Sequence, residues 1–169
     1  MKKVFRILFI LHLLVGIGAI GGGMMAILNP QGPGGMPTDL LNNSPFHDFL
    51  IPGIILFTVI GLGNVFSALS LHLKSRYQGY ISSIFSWALV IWIVVQCIML
   101  QTVVFLHVLF FIIGLVGVFL SSIVMLIQNL FPVNIILDIL AKMEERFPDN
   151  AFIIMLRKLE RNTIDRFAK

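Results

Sequence analysis

The hydrophobic residues of the chain form long runs that short polar stretches interrupt. The first run covers residues 4–28 and the second covers residues 49–73. An α-helix needs roughly 20 apolar residues to cross about 30 Å of hydrocarbon. Both runs therefore predict transmembrane helices. A signal peptide is the alternative for the first run, but its apolar part is longer than the roughly 7 to 15 residues of a signal-peptide core.

A third apolar stretch, residues 77–137, contains no charged residue. It is too long for one span and predicts two, over residues 80–100 and 104–127. The turn between them is expected near Gln101 and Thr102, where two polar residues are adjacent. The sequence therefore predicts an all-α polytopic membrane protein whose transmembrane part is a four-helix bundle.

A charged tail, residues 129–169, follows the bundle, which we assign to residues 1–128. Apolar side chains recur at helical spacing within residues 134–168, so the tail predicts amphipathic cytoplasmic helices. Its basic and acidic residues are nearly balanced, whereas an anchor for anionic lipid needs about four to eight clustered Lys and Arg. We expect this tail to pack on itself, to contact a second copy of the chain or another protein, or to lie on the inner membrane surface through its apolar stripe.

The positions of Lys and Arg predict how the spans are oriented. Residues 29–48, which join the first two spans, contain Asp39 and Asp48 but no basic residue. The 12 basic residues lie at the start of the first span, between the second and third spans, and after the fourth. Cytoplasmic loops keep Lys and Arg, whereas translocated loops lose them. We therefore expect both termini in the cytoplasm and residues 29–48 to form an outer loop.

The composition narrows the class of protein further. The chain is 58% hydrophobic and 12% charged, with a mean hydropathy of +0.98, while soluble domains carry about 25% charged residues. The lipid bilayer is thus the expected partner, and the net charge of +4 reflects topology rather than binding to nucleic acid. The single cysteine, Cys97, cannot form an internal disulfide. No motif for a nucleotide, a metal or a nucleophile occurs, so we expect no cofactor and no metal.

Small residues recur four positions apart in three of the spans, where they share one face of the helix. Such pairs let helix backbones approach closely in lipid, although a glycine hinge is an alternative role. The predicted packing pairs are Gly18 with Gly22, Gly63 with Ser67, and Gly117 with Ser121.

Polar residues inside the spans are the first candidates for function, since they are costly in hydrocarbon. The interior of every span lacks Asp, Glu, Lys and Arg, which argues against a proton-coupled exporter. His12 and Asn64 fall at similar depths when each residue is given a rise of about 1.5 Å. They form a candidate inner polar pair that we expect to hydrogen-bond between helices.

Four other polar residues fall nearer the outer surface. Gln96 lies in the outer third of the third span, and His107 lies near the outer end of the fourth. His47 and Asp48 sit above them in the outer loop. These four residues form a candidate outer polar site, although a solvated loop with structural hydrogen bonds is the simpler interpretation.

The outer loop also carries a resemblance. The motif Pro-Thr-Asp-Leu-Leu-Asn-Asn-Ser-Pro-Phe-His-Asp-Phe-Leu-Ile-Pro-Gly of residues 37–53, together with residues 61–64 and 90–99, resembles a family of small four-span bacterial membrane proteins of uncharacterised function. The resemblance covers about residues 1–128. It implies a location in the bacterial plasma membrane, and it implies no catalytic residue.

Three classes of function remain. We expect a non-enzymatic integral membrane protein that binds a lipid or a partner protein. The first alternative is a small oligomeric transporter or channel with a polar path through Asn64, Gln96 and the histidines His12 and His107. The second alternative is a membrane enzyme with an outward-facing site around Asp48, His107 and Gln96.

Overall fold

The computed structural model describes residues 2–168. Over these residues the chain is helical and has no strand. The six helices are α1 (Lys2–Leu28), α2 (Leu50–His72), α3 (Gln78–Leu100), α4 (Phe105–Ile127), α5 (Val133–Arg146) and α6 (Ala151–Ala168). The first four are long and apolar enough to cross a membrane. The chain is therefore an all-α multi-pass membrane protein, and the predicted fold class is confirmed.

The four long helices close into a bundle. Neighbours in sequence pack against each other, and α1 also contacts α4, so that the ring is complete. Each long helix begins and ends within two residues of its predicted span. Gln101 ends α3 in the left-handed region with a φ of 48°. Its side-chain amide donates to the carbonyl of Ile98 at 2.7 Å, which satisfies an acceptor freed at the helix end.

Residues 29–48 form a cap on one end of the bundle. The two ends of the cap are joined by a hydrogen bond from Phe49 N to Pro30 O at 3.0 Å. Short 3₁₀ turns at Pro33–Gly35 and Thr38–Leu41 fold the chain between them. Apolar side chains from the cap and the helix ends bury one another in a cluster of Ala26, Leu41, Phe49 and Met99.

The helix α2 is not a regular α-helix throughout. Its middle part, Leu56–Leu62, is a π-helix, which the sequence analysis does not predict. The wider turn packs directly on α1 where glycines leave room for it. A Cβ atom on Gly23 would lie 2.6 Å from the backbone nitrogen of Phe57, and one on Gly61 would lie 2.8 Å from Ile20.

The predicted pairs of small residues differ in how closely they pack against neighbouring helices. Gly63 faces the ring of Phe85 too closely for any Cβ atom. Ser67 is fully buried. Gly18 is exposed, and a Cβ atom on Gly22 would meet its nearest neighbour at an ordinary 3.5 Å.

The closest approach of α1 to α2 is at Gly16 and Gly23, where a Cβ atom would lie 3.0 Å from Val65 N and 2.6 Å from Phe57 N. Gly22 of the predicted pair also faces α2, but at a longer distance, beside the side chain of Leu56. Spacing identifies residues that share a face, but it does not show which face meets a neighbour. In α4, both Gly117 and Ser121 are buried.

Two shorter helices follow the bundle. The helix α6 packs against both α4 and α5, and its Ile153 is buried. Arg157 joins the tail helices, since its guanidinium donates to Glu144 of α5 at 2.9 Å and also pairs with Glu160. The hydrogen bond to Glu144 raises the pKa of Arg157. Other apolar tail side chains stay exposed: Ile135, Ile136, Ile139, Met143, Phe152, Met155 and Leu159.

Candidate functional site

The predicted inner polar pair is in contact at the centre of the bundle. His12 Nδ1 and Asn64 Oδ1 lie 2.7 Å apart, as their estimated depths predict. Asn64 Nδ2 donates to the carbonyl of Ile60 at 2.8 Å, one turn earlier in α2. His12 is 3% exposed and Asn64 is 1% exposed. The pair therefore joins α1 to α2 in a region that solvent does not reach.

The hydrogen bonds determine which atoms of His12 and Asn64 are donors and which are acceptors. The donor bond to Ile60 turns the Asn64 amide so that its oxygen faces His12. The neutral His12 ring must then carry its hydrogen on Nδ1, and Nε2 keeps a free lone pair. No carboxylate or nucleophile accompanies this base among the residues that hydrogen-bond to it. The pair forms a buried hydrogen bond between α1 and α2.

The four residues of the predicted outer site are not joined to one another, and two of them, Asp48 and His107, bond to backbone at helix starts. Asp48 Oδ1 accepts a hydrogen bond from Leu50 N at the start of α2, at 3.0 Å. His107 Nδ1 accepts one from Val104 N at the start of α4, at 3.3 Å. His47 is exposed and Gln96 is half-buried on α3. In the part of the chain that the structure describes, none of these four side chains hydrogen-bonds to another.

A groove lies between α3 and α4 at the end where the turn at Gln101 joins them. Its volume is about 530 Å³. Several lining side chains are widely exposed, so the groove opens sideways towards the surrounding bilayer. The lining residues are Ile93, Val94, Cys97, Ile98, Gln101, Thr102, Val103, His107, Val108 and Phe111.

His107 contributes an oriented polar group to the groove. Its Nδ1 accepts the hydrogen of Val104 N, so the neutral ring holds its own hydrogen on Nε2. His107 therefore offers an N–H donor in a groove that is otherwise mainly apolar. The sequence analysis found His107 but missed the groove, because the gap depends on how far two helices diverge. The only available signal was the polar pair at the turn beside an apolar run.

Residues that bind metals are not grouped in this fold. Among the described residues, no three His, Cys, Asp or Glu side chains lie close enough to hold one ion. A structural zinc ion takes four protein ligands and a catalytic one takes three. Neither the inner pair nor the groove has such a set.

The fold and these two sites define a multi-pass α-helical membrane protein with a polar centre and a lateral groove. No family model, no curated protein and no solved structure matches the chain. The function must therefore be inferred from the geometry of its own residues.

Proposed function

We propose that this protein is a non-enzymatic binding module of the bacterial plasma membrane, and that the groove between α3 and α4 holds one lipid-like amphiphile. The observation that carries the proposal is a mainly apolar groove, open to the bilayer, with an N–H donor from His107 at its polar end. An acyl chain suits the apolar walls. A hydrogen-bond-accepting head group, such as an ester or phosphate, suits the donor.

The size and chemistry of the groove favour this occupant over a polar solute. Its volume of about 530 Å³ falls within the range of about 300 to 1,000 Å³ that small-molecule sites have. No charged side chain lines it, and its polar side chains are Gln101, Thr102 and His107. These three lie beside the turn, while Ile93 and Phe111 lie towards the middle of the spans. The polarity gradient therefore matches that of a lipid.

The expected orientation places this groove in the outer leaflet. Basic residues at Lys74 and Arg76 favour a cytoplasmic side for the connection between α2 and α3. The turn at Gln101 then lies on the outer side. This agrees with the packing of Met99 against Leu41 and Phe49, which puts the groove and the cap at the same end of the bundle.

Native mass spectrometry of the protein released from nanodiscs tests the proposal. We expect one retained lipid per chain, which the Val94→Trp substitution should remove by filling the groove. Ile84→Trp is the matched control, because Ile84 lies on the same helix, is 60% exposed and does not line the groove. The control should retain its lipid. Equal retention by both variants, or a second chain in place of lipid, would contradict the proposal.

Cys97 provides an independent measurement without any substitution. It is the only cysteine in the chain, and it lines the groove. In delipidated detergent, added phospholipid should slow alkylation of the Cys97 thiol by a small maleimide, because the bound chain covers it. In the Val94→Trp variant the rate should not respond to lipid. A wild-type rate that is indifferent to lipid would contradict the proposal that a phospholipid chain occupies the groove.

A further inference from the structure

At the centre of the bundle, one ring nitrogen of His12 lacks a hydrogen-bond partner among the described residues. In the described part of the chain, His12 Nε2 is buried and makes no hydrogen bond. A small cavity lies beside it, and all four spans contribute to its wall. The polar or small residues of this wall are His12, Asn64, Ser86, Gly114 and Gly117.

The lone pair on His12 Nε2 requires a hydrogen-bond donor. Asn64 already engages Nδ1, and the bond from Asn64 Nδ2 to Ile60 prevents the amide from turning to offer its own N–H. An unpaired polar group in hydrocarbon costs several kcal/mol. The missing donor must therefore come from the cavity.

The cavity has room for one water molecule. It offers about 10 Å³ to the centre of a water-sized sphere, and a bound water needs about 10 to 15 Å³ by this measure together with polar partners. We propose that it is a specific binding site for a single water molecule, which donates one hydrogen to His12 Nε2 and hydrogen-bonds to the Ser86 hydroxyl. This water links α1 to α3 in the middle of the bilayer.

The glycines of α4 have a role in this site beyond helix packing. A Cβ atom on Gly117 would lie 2.5 Å from Ser86 Oγ. A Cβ atom on Gly114 would lie 2.7 Å from Val90. Alanine at either position would push α4 outward or displace the Ser86 hydroxyl, so glycine keeps the space that the water needs.

NMR of the histidine side chains in nanodiscs tests the site in the unaltered protein. We expect His12 to be protonated on Nδ1, with an Nε2 shift typical of an accepted hydrogen bond. Magnetisation should also pass from water to the His12 ring. His72 is the internal reference, because it is exposed and should receive magnetisation from solvent. A hydrogen on Nε2, or no transfer to His12 while His72 responds, would overturn the proposal.

Substitutions of two serines on α3 distinguish loss of the water site from a general effect on helix packing. Ser86→Ala removes one partner of the water, and the transfer to His12 should fall about threefold or more, as expected for loss of one hydrogen bond. Ser82 is equally buried but bonds to Ser67 Oγ at 3.1 Å and lies outside the cavity. Ser82→Ala should leave His12 unchanged. An equal decrease in both variants, or no decrease in Ser86→Ala, would contradict the site.

Discussion

Single residues show how polar groups are accommodated in this bundle. His12 and Asn64 pair between helices, whereas Thr58 bonds to the carbonyl of Ile54 within its own helix at 2.7 Å. The pairing was predictable, because each span has few polar residues and their depths follow from the helical rise. The roles of Asp48 and His107 at helix starts were not, because capping depends on the local backbone path.

Asn64→Leu should destabilise the protein because it leaves the Nδ1–H group of His12 buried without an acceptor. The substitution removes the acceptor of His12 Nδ1 and strands a buried donor, which costs about 1 to 3 kcal/mol. The measurement is the free energy of unfolding in mixed micelles. Thr58→Val is the control on the same helix and should change the free energy by less than about 0.5 kcal/mol.

The double variant His12→Phe with Asn64→Leu completes the thermodynamic cycle. The double variant should lose less free energy of unfolding than the sum of the losses of the single variants His12→Phe and Asn64→Leu. The difference, which is the coupling energy of the pair, should be about 0.6 kcal/mol and at most about 1.7 kcal/mol. If Asn64→Leu changes the free energy of unfolding as little as Thr58→Val does, the interhelical hydrogen bond does not form in the micelle.

The helices as elements were largely predictable, and their mutual packing was not. The lengths of the apolar runs gave the bounds of α1 and α2 to within two residues. The π-helix at Leu56–Leu62 has no sequence signal of its own, since it depends on the tertiary contact with α1. The close approach at Gly16 and Gly23 depends on the same contact, and spacing alone did not single out these two glycines.

Two glycines of α1 should respond to alanine in opposite directions. Gly23→Ala places a methyl group against the backbone of Phe57 and should destabilise the bundle by about 1 to 3 kcal/mol. Gly21→Ala meets nothing within 4 Å and should stabilise α1 by about 0.5 to 1 kcal/mol through helix propensity. Thermal unfolding in one detergent compares the two. A lower Tm for Gly21→Ala than for Gly23→Ala would place the helix contact on the other face.

The whole molecule is organised by the bilayer. Large apolar side chains on the outside of the spans are widely exposed, as they must be when lipid is the solvent: Ile17 on α1, Phe66 on α2, Ile84 on α3 and Phe119 on α4. The number of spans followed from hydropathy alone. The groove did not, since it arises from the separation of α3 and α4 near their shared turn.

The arrangement of the molecule across the membrane decides whether the groove faces the outer leaflet. Cysteine variants of two exposed residues, Asn43 in the cap and Asn162 in α6, report on the two sides when Cys97 is replaced by alanine. A maleimide that cannot cross the membrane should label Asn43→Cys on intact cells and Asn162→Cys only after the cells are permeabilised. Labelling of Asn162→Cys on intact cells would invert the proposed arrangement and turn the groove to the cytoplasmic leaflet.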